Sequence, residues 1–270
     1  MKNLFCVLSL ILAIVSQNIA VAANAPVATN SSNPPTSSFT PAQIKEIQQI
    51  THSYLVSNPQ VLIEAGQELQ KREIEEQKAQ LIKTKADLPK YKNQLFDTKA
   101  PNRVILGNPQ GTVLLAEFTQ HQCHHCKEAT VVVNKLLKNH PEIQLTVIYW
   151  PFFGEDAAYT AKAVMAAQKQ NKAEELNQAF FANKDSVTKE KADTIIKSIK
   201  GLDSKKLYAD MATKEFDAGL RENFKLAKDV GIVGTPALVF ANKELTKFSL
   251  VPGQTPSFTE DLVKALNEVK

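Results

Sequence analysis

Between residues 44 and 54 the apolar side chains Ile44, Ile47, Ile50 and Tyr54 recur at helical spacing, predicting a short helix with one greasy face. Thr40-Pro41-Ala42-Gln43 reads as its capping box with proline in the first turn, and Asn58-Pro59 as its end. From Glu64 to Lys92 the periodicity thins into Glu, Gln and Lys with scattered Leu and Ile, the pattern of a mostly solvated helix. After Pro101 the texture changes. Residues 103–106, the run 113–118 and residues 143–150 read as strands, with a helix over 131–137 joining the last two. That β-helix-β order predicts a parallel pair. Residues 155–230 carry only helical signals, strand character returns at 237–240 and 248–251, and 257–269 reads as a last helix with Ser257 as its cap.

The first residues have a different pattern. An apolar run over 4–23 follows Lys2, is interrupted at Gln17-Asn18, and ends in Ala20-Val21-Ala22-Ala23. A membrane-spanning helix wants about 20 unbroken apolar residues. The break and the small-residue ending predict instead a secretory signal peptide over residues 1–23, and export to the periplasm. Residues 24–38 are rich in Ala, Asn, Ser, Thr and Pro and read as a flexible leader.

Removal of the signal peptide would change the meaning of the cysteines. Of the three in the sequence, Cys6 leaves with it, and Cys123 and Cys126 remain as a single closely spaced pair. So small a loop does little for stability, so in an oxidising compartment the pair serves chemistry or metal. A net charge of +4, scattered along the chain, gives no reason to expect a nucleic-acid partner.

Glu117-Phe118-Thr119-Gln120-His121-Gln122-Cys123-His124-His125-Cys126 joins a buried strand to a helix start. There the unpaired amides and the helix dipole favour an anion, so Cys123 is expected to ionise readily as the attacking thiol while Cys126, one turn in, resolves. His124 and His125 are expected to add positive potential, stabilising the thiolate and making the Cys123–Cys126 disulfide a stronger oxidant. The rival reading is a metal-binding or holdase protein without turnover, since His121, Cys123, His124, His125 and Cys126 all have ligand chemistry. Structural zinc, however, is usually held by two separated ligand pairs, and His52 and His140 have no ligand neighbours in sequence.

These residues resemble the DsbA-like thioredoxin-fold oxidoreductases of bacterial envelopes. The resemblance covers residues 101–270 and rests on Glu117-Phe118, Cys123-His124-His125-Cys126, Trp150-Pro151-Phe152 and Gly231-Ile232-Val233-Gly234-Thr235-Pro236-Ala237. It implies an α/β, thioredoxin-like fold; the pattern itself gives the helical insertion at about 155–230 and an N-terminal helical extension over 39–92, which has no counterpart in the simple monomeric enzymes of the family. The resemblance further implies that Cys123 is an exposed nucleophile, Cys126 its buried partner, Glu117 a buried acid handling the proton of Cys126, and Thr235-Pro236 a cis-proline loop facing them and binding substrate. The implied activity is formation or isomerisation of disulfides in cysteine-containing exported clients. A membrane redox partner would reset the pair, and no organic cofactor is implied. The apolar face over 44–54, on an arm with little of its own chain to cover it, predicts a homodimer or slightly larger homo-oligomer joined through residues 39–62.

Overall fold

The computed structural model describes residues 38–270. The expected signal peptide, its cleavage site and all of the expected leader except Ser38 lie outside the described residues. The chain divides into two compact units at Gln67 and Glu68.

In the first unit, α1 (Pro41–Ser57) starts at the predicted capping box. The Gln43 N–H donates to Thr40 Oγ1 and the Thr40 N–H donates to Gln43 Oε1 at 2.8 Å. At its other end the Asn58 side chain donates to the Tyr54 carbonyl at 2.8 Å. No residue of this helix is buried, and Ile50 and Tyr54 are 61% and 56% exposed. Helix α2 (Gln60–Asp87) begins here and runs through the division.

In the second unit α2 is solvated, as its composition predicts, and Thr84 is its one buried residue. Thr84 Oγ1 donates to the Gly231 carbonyl at 3.3 Å. Gly231 has a positive φ of 85°, and a side chain there would come within 2.7 Å of both Gln80 and Thr84, so glycine is required at this docking point. A 3₁₀ turn (Leu88–Tyr91) and the short α3 (Lys92–Leu95) follow. Leu88, Leu95 and Phe96 enter a core with Leu114, Phe118 and Val239. The end of the stretch read from sequence as solvated is therefore built into the core at Leu88, and Leu95 and Phe96, just beyond it, join the same cluster.

Five strands, β1 (Val104–Gly107), β2 (Val113–Thr119), β3 (Ile143–Tyr149), β4 (Ala237–Asn242) and β5 (Phe248–Val251), form one sheet in the order β1-β3-β2-β4-β5. The predicted pair β2 and β3 is parallel, joined through α4 (His124–Asn139), and the other neighbours are antiparallel. Both central strands are buried at every position, the reason they read as continuous apolar runs rather than alternating ones. One face of β2 packs Val113 and Leu115 against α4 and the inserted helices; the other packs Leu114, Ala116 and Phe118 against the segment before β1. The insertion comprises α5 (Glu155–Gln168), α6 (Ala173–Phe181), α7 (Lys189–Ser198), α8 (Ser204–Met211) and α9 (Lys214–Val230), and α10 (Phe258–Val269) closes the chain. Ser257 occupies the cap position of α10, but its side chain makes no capping bond, contrary to the sequence expectation. Among the described residues no helix is long and apolar enough to cross a membrane.

Candidate active site

Strand β2 ends at Thr119, and four residues later Cys123 caps α4 with extended backbone (φ −82°, ψ 120°). Its sulfur takes the place of the usual capping oxygen: the Cys126 N–H donates to Cys123 Sγ at 3.2 Å. An anion at this position faces unpaired amides and the positive end of the helix. The Cys123 thiol falls from 9.0 to about 6, most strongly through the side-chain bond with Cys126, against the cost of burial, with further help from Thr235, the Cys126 backbone and, last, His125. Cys126 moves the other way. Burial, reinforced by the neighbouring Cys123 sulfur, pushes its thiol far above the ordinary range. Two thiols one helical turn apart are thus driven in opposite directions, separating a readily ionised thiol from one that stays protonated.

Two sequence expectations change at this point. Cys123 is not exposed but 5% accessible, packed with Cys126 against Phe181 from the inserted helices. Both cysteines are free thiols, so the structure describes the reduced form of the pair. His124 and His125 contribute little to the thiolate. They lie 79% and 69% exposed and turn toward Glu128, 3.4 and 3.5 Å away, with His125 also 3.1 Å from Gln254 Oε1. Hydrogen bonds to sulfur at short range outweigh exposed imidazoles screened by water and by a carboxylate.

The Thr235–Pro236 peptide bond is cis, and the Thr235 carbonyl accepts from Cys123 Sγ at 3.4 Å. Glu117 sits in the buried centre of β2, opposite Val147 and Leu238. Its carboxyl rises from 4.5 to about 7, first through burial and further through the charge of Cys123, while Thr119 offsets part of the rise. Glu117 Oε1 has no hydrogen-bond partner among the described residues. A buried carboxyl that titrates near neutrality and feels the charge of the sulfur can hold or release a proton there.

His121 does not join the cysteines as a ligand. It is fully buried between Tyr149, Phe180 and Phe181, with ring centroids 4.5–5.1 Å away, and its Nε2 lies 3.0 Å from Asn177 Oδ1. Burial lowers its pKa to about 4, leaving it neutral. No group of three or more His, Cys, Asp or Glu is placed to hold a metal ion among the described residues. The five-ligand metal reading therefore lacks convergence: one histidine faces inward to an amide and two face solvent.

Several residues that contact the cysteines or the histidines of this segment had no sequence signal. Phe181 and Asn177 arrive from the inserted helix α6, Gln254 from the loop after β5, and Gln120 from the turn after β2, where a lone glutamine gives no periodicity or motif to read.

The model of the thioredoxin family matches residues 99–267, and that of the copper resistance protein ScsC N-terminal domain matches residues 43–76. No curated protein matches the chain. Among solved structures, a thioredoxin-like oxidoreductase from Silicibacter pomeroyi DSS-3 is 30% identical with a TM-score of 0.57, covering 65% of this chain and 95% of that one. Proteus mirabilis ScsC in a transitional conformation is 25% identical with a TM-score of 0.54, covering 84% and 98%. The thiol-disulfide exchange protein alpha-DsbA2 from Wolbachia pipientis shares the fold at 23% identity and a TM-score of 0.58, covering 70% and 97%. The thioredoxin-like fold read from the sequence is thereby borne out, and the match at residues 43–76 lies within the predicted N-terminal extension.

Proposed function

The chain belongs to the thioredoxin family, and on that premise we propose that it is a periplasmic thiol:disulfide oxidoreductase that forms or isomerises disulfides in exported proteins. The observation that carries this reading is the opposed pair at the start of α4, with Cys123 lowered to about 6 and Cys126 raised. At neutral pH Cys123 is the attacking thiolate. It displaces one sulfur of a client disulfide to form a mixed disulfide, and that client sulfur leaves as a thiolate. Cys126 then gives up its proton and attacks Cys123 Sγ, which forms the Cys123–Cys126 disulfide and releases the client's second sulfur. Read in the opposite direction, the same steps pass a disulfide to a reduced client.

Glu117 is the group proposed to take up the Cys126 proton, since its carboxyl titrates close to neutrality in a dry setting. Thr235-Pro236 lies against Cys123 and supplies backbone on which an extended client segment can lie. Export rests on the leader-like pattern of residues 1–23. The proposed partners are cysteine-containing exported clients, a membrane redox protein that resets the pair, and a second copy of this chain. The apolar, wholly solvated face of α1 is the proposed self-association surface, within a segment resembling the ScsC N-terminal domain.

Thiol trapping in cells, paired with insulin reduction and refolding of a scrambled substrate, tests the proposal. An oxidase rests as the disulfide, whereas an isomerase rests as the dithiol and repairs the scrambled substrate. Absence of any thiol exchange by the purified protein would end the reading.

A further inference from the structure

Gln120 is fully buried, yet its side-chain amide ends between two loops instead of in apolar packing. The Phe153 N–H donates to Gln120 Oε1 at 3.2 Å. Because a backbone N–H can only donate, this contact fixes which way the amide points and leaves Nε2 toward the other loop. There Nε2 donates to Thr235 Oγ1 at 3.5 Å. A hydroxyl that accepts an N–H keeps its own hydrogen for a different acceptor. The two sulfurs are candidates, since the Thr235 side chain bonds to both cysteines and the carbonyl of the same residue accepts from Cys123 Sγ at 3.4 Å.

We propose that Gln120 is a positioning residue that holds the Thr235 hydroxyl with its hydrogen toward Cys123 and Cys126, so that Thr235 donates to whichever sulfur is anionic. This deepens the thiol-exchange reading and rests on it. With the Gln120 amide hydrogen on the hydroxyl oxygen, the hydroxyl hydrogen turns away from Gln120 and is free for an anionic sulfur, so the loop favours the anion over the neutral sulfur. The Thr235 side chain indeed lowers both cysteines. The same amide, through Phe153, ties this orientation to the exposed aromatic pair Phe152 and Phe153, whose ring centroids are 4.7 Å apart. Neither link has a sequence signature, because glutamine, threonine and phenylalanine meet here from three separate connections.

The test follows the Cys123 thiolate by its ultraviolet absorbance across pH, in the full mature protein and in Gln120→Met, Thr235→Val and the double variant. Each is also equilibrated with glutathione. Gln120→Met should raise the Cys123 pKa by about one pH unit, the scale of a lost charge-assisted bond. From a starting value near 6 that shifts the glutathione equilibrium at pH 7 about five-fold toward the disulfide. Thr235→Val should do the same, and adding Gln120→Met to Thr235→Val should change little further, because the amide acts through the hydroxyl. A folded Gln120→Met variant that titrates like the unmodified protein overturns the proposal, as does a shift of equal size on top of Thr235→Val. Should Gln120→Met not fold, an unchanged titration in Thr235→Val is enough to overturn it. An unmodified protein that exchanges no thiols with glutathione removes the parent reading, an outcome distinct from all of these.

Discussion

Replacing Glu117 by glutamine keeps the size of a fully buried side chain and removes its charge. In the folded protein the carboxyl titrates at about 7 instead of its ordinary 4.5. At ~1.36 kcal/mol per tenfold change, that difference corresponds to about 3 kcal/mol. The folded state holds this proton more tightly than the unfolded chain does. The contribution is therefore fully present below pH 4.5, is lost as pH rises toward 7, and stays lost above it. Urea unfolding of the reduced protein at pH 5 and pH 8 should accordingly show Glu117→Gln more stable than the unmodified chain at pH 8, by up to about 3 kcal/mol, with little difference at pH 5. The titration of Cys123 acts on both proteins and largely cancels in the comparison. Exchange should suffer while stability improves: a glutamine cannot accept the Cys126 proton, and loss of a general base costs roughly 10²-fold or more. Stability differences that stay parallel from pH 5 to pH 8 would refute the assignment of a buried, near-neutral carboxyl.

Cys123→Ser should abolish exchange, and Cys126→Ala should leave an attacking thiol that cannot release its client, so mixed disulfides accumulate on non-reducing gels; trapping by the Cys123 variant alone would reverse the roles. Alkylation of Cys123 should follow a midpoint near pH 6, and replacing both His124 and His125 by alanine should move it by less than about half a pH unit, since exposed charges are weak; a larger move would restore the histidines as main stabilisers. Light scattering of the mature protein should give a dimer or slightly larger homo-oligomer, and Ile47→Glu with Ile50→Glu on the exposed α1 face should dissociate it; a monomer before substitution would dispose of the self-association surface.

Much of the scaffold was legible along the chain because its signals are local. The capping box at Thr40 and Gln43 is satisfied within four residues, and the apolar runs of β2 and β3 follow from burial on both faces. The spacing of Cys123 and Cys126, on a strand-to-helix turn, placed the chemistry by itself, since a helix start stabilises an anion whatever packs around it. Only the tertiary structure decided how that anion is held. Phe181 closes over Cys123, Thr235 comes to its sulfur from more than a hundred positions later, and the two histidines that looked decisive in sequence turn outward to Glu128. The same holds for Leu88, Leu95 and Phe96, whose place in the core depends on the far side of β2 rather than on their own periodicity. Local order follows from backbone bonds and side-chain period, which a sequence displays. The balance of burial, charge and hydrogen bonding at a sulfur depends on groups that only the fold brings within a few ångströms.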